Sequence, residues 1–168
     1  MRRRDREVTD PETIRAMLDA AKVLHLGLVD DGLPYVVPMN YGYTLEDGRL
    51  TFYLHGAKEG RKLDVIRKNP ACCVQLECNC APFQGEKACQ YGYIYDSLIA
   101  FGKVQVVEDV EEKEQALTIL MKTQTEKDFV FDERLVSIVT VFRIDCDSYT
   151  AKRRSLPPRK QAEAERNG

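Results

Sequence analysis

Residues 50–77 read LTFYLHGAKEGRKLDVIRKNPACCVQLE, and the stretch contains a strand, a corner, a helix and a second strand in that order. The alternating, aromatic-rich run LTFYLH (50–55) predicts a strand. A short helix is predicted from about Glu59 to Lys68, and Asn69-Pro70 ends it because proline disfavours helical backbone in the residue before it. The extended pattern resumes in ACCVQLEC (71–78), which predicts a return to the sheet.

The corner between this strand and this helix concentrates residues that suit an anion. It contains one of the two histidines of the chain, two glycines and three cations: His55, Gly56, Gly60, Lys58, Arg61 and Lys62. A helix N-terminus presents unpaired amides and the positive end of its dipole. Glycines let the backbone come close to a ligand, and Lys and Arg add full charges. The sequence therefore predicts a phosphate-type anion at this corner.

A plainer interpretation of the corner stays open at this point. The cations are also consistent with a solvent-exposed helix start that pairs with Glu59 and Asp64, and His55 with a structural histidine. Neither a Walker motif nor a GxGxxG fingerprint is present in the sequence, so the corner matches no standard nucleotide-binding loop.

The rest of the chain predicts more strands and two longer helices. Thr9 and Glu12 have capping-box spacing before an amphipathic helix, and a second amphipathic helix is predicted over 109–127. Strand patterns occupy 23–29, 33–39, 93–108 and 135–152, with turns at Asp31-Gly32 and Glu46-Asp47-Gly48 and an irregular segment at 79–92. This order lacks a regular βαβ alternation, so we predict a mainly antiparallel barrel with helices packed outside.

Composition limits the classes of protein that remain. The chain has 168 residues, enough for one domain, and 25 basic against 27 acidic residues give a net charge of −2, which excludes the electrostatic footprint of a nucleic-acid-binding protein. No apolar run is long enough to span a membrane and the N-terminus lacks a signal-peptide pattern, so a cytoplasmic location is expected. We predict one domain over 1–154 and a polar, mobile tail over 155–168.

The six cysteines raise the question of a metal site. Cys78, Cys80 and Cys89 are close in sequence, but two CxxC pairs or a nearby histidine would be needed for a strong zinc or iron–sulfur pattern. We therefore expect free thiols and no metal.

Several stretches in order resemble the flavin-binding split-barrel superfamily that includes pyridoxamine 5′-phosphate oxidase, most of all its branch of nitroimidazole-resistance reductases. These are DREVTD (5–10), HLGLVDDGLPYVVPMNYGY (25–43), the stretch 50–77, YDSLIAFGKVQVVED (95–109) and TAKRR (150–154). The resemblance implies an antiparallel six-stranded split β-barrel with flanking α-helices. It also implies a homodimer that holds FMN in each of two clefts between the subunits.

The resemblance also implies which residues contact the flavin. The matching positions form four groups: the strand along the isoalloxazine ring (Val37, Pro38, Met39, Asn40 and Tyr41), the strand end and turn beside the ring and ribityl chain (His55, Gly56, Ala57 and Lys58), the basic pair at the phosphate (Arg61 and Lys62), and a strand from the second subunit (Tyr95 and Ser97). For Tyr95 and Ser97, ordinary strand residues with cross-strand contacts remain the alternative.

The resemblance therefore predicts an FMN-binding oxidoreductase. It would reduce a small acceptor such as a nitro-aromatic or quinone-like compound, with NAD(P)H or another reductant as donor, and His55 would position the acceptor or deliver a proton. The absence of Trp, and of His in the C-terminal half, disfavours a true pyridoxamine phosphate oxidase. A non-catalytic flavin- or haem-binding storage or sensor module, and an F420-dependent reductase on the same fold, remain alternatives.

Overall fold

A computed structural model of the chain describes residues 3–157, so most of the predicted tail (158–168) lies outside the described residues. The strands are β1 (Glu7–Val8), β2 (Leu24–Asp30), β3 (Leu33–Met39), β4 (Gly42–Glu46), β5 (Arg49–Gly56), β6 (Ala71–Phe83), β7 (Gly92–Val107) and β8 (Thr140–Arg154). The helices are α1 (Pro11–Ala20), α2 (Arg61–Lys68), α3 (Val110–Thr125) and α4 (Glu133–Val136), with 3-10 turns at Arg4–Arg6 and Ala88–Gln90. Within residues 3–157, no helix has the length and apolar character that crossing a membrane would require.

All strands belong to one antiparallel sheet, in the order β3-β2-β6-β7-β8-β5-β4, with β1 added beside β8. The two edge strands, β3 and β4, are consecutive in the chain and are separated only by Asn40 and Tyr41. The sheet therefore curls until its edges are joined through one continuous segment, although β3 and β4 do not pair with each other in the described chain. This is a split barrel, and it confirms the predicted fold class. The predicted six strands are obtained when β3 and β4 are counted as one interrupted strand and the two-residue β1 is set aside.

Two tight hairpins begin the barrel, and both were predicted. Asp31 (φ 49°) and Gly32 (φ 86°) join β2 to β3, while Asp47 (φ 49°) and Gly48 (φ 76°) join β4 to β5. Two consecutive residues with positive φ are typical of the type I′ turn, whose twist matches that of the flanking strands. An Asp-Gly pair suits this turn because both residues tolerate left-handed backbone better than most.

The barrel interior is filled by the alternate side chains of the strands. Along β5 the pattern alternates strictly, with Leu50, Phe52 and Leu54 buried, and helix α1 adds Ile14, Met17 and Leu18 to the same core. A second, smaller cluster lies outside the barrel, between the β7–β8 pair and helices α3 and α4. It consists of Val107, Ala116, Leu117, Val136 and Val141. Burial of this apolar surface is the main driving force for both layers.

Some predicted element boundaries were wrong, each for a local reason. Helix α1 is capped by Asp10, whose carboxylate accepts from Thr13 N at 2.9 Å, and not by a Thr9–Glu12 capping box. The last strand, predicted from residue 135, begins at Thr140, because Leu135 and Val136 belong to the short helix α4, which Asp132 caps. Strand β6 continues to Phe83, because a bulge after Cys78 lets pairing resume at Ala81.

The gap between the two sheet edges is held by hydrogen bonds from both long helices. The buried Tyr41 hydroxyl lies 2.7 Å from the Leu18 carbonyl and 2.8 Å from the Ala21 carbonyl, at the end of α1. From α3, Gln124 Nε2 donates to the Tyr41 carbonyl at 2.8 Å. The Asn40 side-chain amide donates to the Lys22 carbonyl at 3.1 Å. The crossing from β3 to β4 is therefore fixed from both sides.

We expect Tyr41→Phe to lower the free energy of unfolding by about 1–3 kcal/mol, because it leaves buried carbonyls at the end of α1 without their donor. Urea denaturation followed by circular dichroism measures the loss. Tyr43→Phe is the matched control, since the Tyr43 hydroxyl bonds to Asp19 at an exposed position. Equal losses in the two variants would contradict the proposed role of Tyr41.

Candidate functional site

Lys62 is the central cation of the predicted corner. Its Nζ lies 3.4 Å from Met39 Sδ and 5.5 Å from the centroid of the Phe142 ring. A Cβ at Gly56 would lie 2.9 Å from the same Nζ, so the absence of a side chain there makes room for Lys62. The ammonium is half-buried where β3, β5 and β8 meet the start of α2, and this burial lowers the pKa of Lys62.

Lys62 has no carboxylate within ion-pair distance anywhere in residues 3–157. Burying a charged group without a partner is costly, so a cation held in this way favours an anionic ligand. The start of α2 adds to this preference. Leu63 and Asp64 donate to the Gly60 carbonyl, so helix geometry leaves the amides of Arg61 and Lys62 without intrahelical acceptors, and no side chain in residues 3–157 caps the helix at Gly60.

Arg61 points away from Lys62, although the two are adjacent in sequence. Its Nε donates to Asp30 Oδ2 at 2.8 Å, and its guanidinium lies 4.5 Å from the centroid of the Tyr35 ring. Both partners belong to the β2–β3 hairpin, which is distant from Arg61 in the sequence. The predicted basic pair is therefore divided: Arg61 is ion-paired with Asp30, whereas Lys62 has no carboxylate partner in the described part of the chain.

His55 lies at the end of β5, next to this corner, and pairs with Val141 in β8. His55 is an exposed residue, although the surrounding chain partly desolvates its imidazole. This partial burial, and secondarily the charge of Lys62, lower the pKa of His55 below its usual value. His55 is therefore mainly neutral at pH 7 and offers one nitrogen donor and one nitrogen acceptor.

The predicted ring-lining segment runs along β3 into the barrel gap. Met39 is buried, Val37 is half-buried and pairs with Leu26, and Pro38 and Asn40 are exposed. Tyr41 is fully buried, and its carbonyl already accepts a hydrogen bond from Gln124. The exposed Ala57 and Lys58 follow Gly56 on the turn before α2.

Tyr95 and Ser97 lie far from the corner along the β8 strand with which both regions pair. Ser97 pairs with Lys152 and His55 pairs with Val141, which are eleven positions apart along β8. At about 3.3 Å per residue this corresponds to roughly 36 Å of strand. The chain itself therefore does not bring Tyr95 and Ser97 to the corner, and their assignment to a cleft in a second subunit stays a prediction.

The sequence interpretation did not identify Asp96, which is 3% exposed. Burial alone would raise its pKa, but hydrogen bonds from Arg153 and Asn79 outweigh burial and hold the pKa of Asp96 below its usual value. Arg153 binds both carboxylate oxygens at 2.8 Å, and Asn79 Nδ2 donates at 2.8 Å. A charged residue at an inward position of the alternating β7 pattern was the signal that could have revealed this cluster.

The cysteines form no recognisable metal centre. All six are free thiols, and burial raises the pKa of Cys78 to about 11. In the part of the chain that the structure describes, no three His, Cys, Asp or Glu side chains converge as metal ligands.

The fold and the corner define a class of protein: an antiparallel split barrel in which the lysine at the start of the short helix α2 has no carboxylate partner among residues 3–157. The family model described as pyridoxamine 5′-phosphate oxidase matches residues 10–153. The chain therefore belongs to the pyridoxamine 5′-phosphate oxidase family, as the sequence resemblance predicted. A comparison with curated proteins gave no match.

Solved structures agree with this assignment. A "putative 5-nitroimidazole antibiotic resistance protein" from Bacteroides thetaiotaomicron is 33% identical, with 87% of this chain and 85% of that chain covered and a TM-score of 0.74. The flavocytochrome Anf3 from Azotobacter vinelandii is 21% identical, with 94% and 73% covered and a TM-score of 0.74. The FAD and heme binding protein from Mycobacterium smegmatis is 17% identical, with 97% and 80% covered and a TM-score of 0.75. The last two similarities establish the fold alone.

We expect Lys62→Gln to raise the pKa of His55, because the substitution removes a positive charge that disfavours the imidazolium. A pH titration of the imidazole carbon-bound protons by NMR measures the shift. Lys68→Gln removes a charge from the other end of α2, where Lys68 pairs with Asp31 at 3.5 Å, and should leave the His55 titration unchanged. An unchanged midpoint in Lys62→Gln would show that the two side chains do not interact.

Proposed function

We propose that this protein is an FMN-binding oxidoreductase that acts as a homodimer. Its acceptor is a small nitro-aromatic or quinone-like compound, and its electrons come from NAD(P)H or a similar reductant. One observation carries the proposal: Lys62 is half-buried and has no carboxylate partner in residues 3–157, beside the uncapped start of α2. This arrangement is suited to a phosphate dianion.

The residues at the corner fit the terminal phosphate and the adjacent part of the cofactor. Lys62 and the first amides of α2 would hold the phosphate, and Gly56 provides space that a Cβ would fill 2.9 Å from Lys62 Nζ. Exposed Pro38 and Asn40 offer a surface beside the barrel gap for the ring. When bound, FMN supplies hydride or single-electron transfer.

His55 is the candidate for proton handling next to the corner. Because its pKa is lowered, the neutral imidazole can both donate and accept a hydrogen bond at neutral pH. We propose that it orients the acceptor or holds a proton at one ring nitrogen.

The relatives support an acceptor of the proposed kind. The relative that is 33% identical over most of both chains is described as a nitroimidazole resistance protein, which favours a nitro-aromatic substrate for the present chain. The more distant neighbours are described as flavin- and haem-binding proteins, so redox cofactors suit this fold. These similarities support the proposal, which rests on the corner itself.

An apolar strip on the outer face of the barrel supports the homodimer. Register places Val36, Gly27, Cys73 and Phe101 side by side across four strands, on the face opposite the core. Val36 is 58% and Phe101 55% exposed, and Ile99 lies two residues before Phe101 on the same face. Contiguous exposed apolar surface of this kind is typical of protein interfaces. Tyr95 and Ser97 share the face, as expected if they reach a cleft in the partner subunit.

We expect Phe101→Asp to convert a dimer to a monomer, because a carboxylate in the middle of the strip cannot be buried without a partner. Light scattering after size-exclusion chromatography measures the mass. Ile138→Asp is the control, since Ile138 is also exposed but lies in the loop before β8, outside the strip. A wild-type monomer, or a dimer that persists in Phe101→Asp, would contradict the proposed interface.

We expect the protein to bind FMN, and Lys62→Gln to weaken binding roughly 10- to 100-fold through loss of a charged hydrogen bond. Quenching of FMN fluorescence measures the affinity. Arg61→Gln should weaken binding less, because Asp30 already occupies that guanidinium. Protein that is still colourless after incubation with excess FMN and removal of the unbound flavin would overturn the flavin assignment, and so would unchanged affinity in Lys62→Gln.

Bound FMN without turnover of NAD(P)H and a nitro-aromatic or quinone acceptor would instead favour a non-catalytic module.

A further inference from the structure

A second concave site lies against the face of α2 that carries Leu63 and Arg67. Its volume is about 330 Å³, and its walls are the end of β7, the residues that lead into β8, and the first turn of α3. Cavities that bind small molecules begin at about this size. The flavin assignment does not use Arg67 or Lys113, and Lys58 is the one lining residue that the cavity shares with it.

Three cations line this cavity, and only one carboxylate accompanies them. The cations are Lys58, Arg67 and Lys113, and the carboxylate is Glu108. The Lys113 side chain is sheltered, with 17% of its surface exposed, whereas the Glu108 side chain is 84% exposed and lies 4.0 Å away, at the limit of an ion pair. A solvated carboxylate at that distance compensates little of the cost of sheltering Lys113.

Other cations near α2 show that carboxylate partners are available in this region. Arg61 pairs with Asp30 at 2.8 Å, and Lys68 pairs with Asp31 at 3.5 Å. In the described chain, neither Lys58 nor Arg67 has a carboxylate within ion-pair distance. In the described chain, the cations that line the cavity therefore have few close carboxylate partners. The cations on the side of the β2–β3 hairpin are ion-paired.

The remaining walls are mainly apolar. Leu63 and Val107 are buried, Val106 and Val139 are half-buried, and the hydroxyl side chains of Ser137 and Thr140 also line the cavity. Apolar walls with a few convergent polar groups are typical of sites for small organic ligands. The arginine is suited to a carboxylate or phosphate group because its planar fork can donate two parallel hydrogen bonds.

We infer that this cavity binds a small organic anion, with an apolar or aromatic body against the valines and a phosphate or carboxylate head on Arg67 and Lys113. Lys58 lies two residues after Gly56, the last residue of β5, so the cavity adjoins the predicted flavin corner in the chain. A ligand here is therefore placed to act as a second substrate or as an effector.

The test uses phenyl phosphate as a probe, titrated by calorimetry into the full-length protein saturated with FMN. We expect millimolar or tighter binding, and a loss of roughly tenfold or more in Arg67→Gln and in Lys113→Met, from removal of one charged contact. Lys68→Gln, which removes a neighbouring cation outside the cavity, should bind as the wild type does. Benzyl alcohol, a neutral aromatic of similar size, should not bind, and benzoate should bind at the same site.

Three outcomes would overturn the inference: no binding of phenyl phosphate at millimolar concentration, equal binding in Arg67→Gln and wild type, or mutual exclusion between phenyl phosphate and FMN. Arg67 is exposed, so Arg67→Gln is expected to fold, and its thermal unfolding verifies this. Failure of the flavin proposal alone would give a different result from failure of this inference. The protein would be colourless but would still bind phenyl phosphate, and Arg67→Gln would still weaken that binding.

Discussion

The structure depends on how one short segment joins the two edges of the sheet. Strands β3 and β4 lie at opposite edges, yet only Asn40 and Tyr41 separate them in the chain. Unpaired backbone at such a crossing must find partners elsewhere. Here Gln124 of α3 donates to the Tyr41 carbonyl, and the Tyr41 hydroxyl in turn donates to the Leu18 carbonyl near the end of α1. The two helices thus determine where the barrel stays open.

This arrangement also explains why the candidate site carries unbalanced charge. Met39, the last residue of β3, contacts Lys62, while Asp30 and Tyr35 of the adjoining hairpin bind Arg61. The β2–β3 hairpin therefore forms an ion pair with Arg61, whereas Lys62 lies beside the gap between the sheet edges. Since a half-buried ammonium without a counter-ion is unfavourable, the electrostatic free energy of the apo protein improves when a ligand brings negative charge to this point.

Local sequence patterns predicted most of the fold, because strand alternation and Asp-Gly turns depend on nearby residues. The short helix α4 escaped prediction since Leu135 and Val136 suit a strand pattern equally well, and only the Asp132 cap distinguishes the two. The residue types around His55 and Lys62 predicted an anion site at the start of α2, and this stays a prediction. The pairing of Arg61 with Asp30 was not predicted, because contacts between residues about thirty positions apart are determined by topology. For the same reason the local pattern did not reveal the partners of Asp96.

The cluster around Asp96 also constrains how the sequence can change. Asp96 and Arg153 face each other across the β7–β8 pair, and Asn79 completes the carboxylate shell from the β6 bulge. Replacing Asp96 or Arg153 alone would leave a charged or polar partner without its hydrogen bonds. Exchanging both for apolar residues of similar volume can leave the free energy of unfolding nearly unchanged. Evolution is therefore expected to treat the two positions as one unit, so that homologous chains retain both residues or neither.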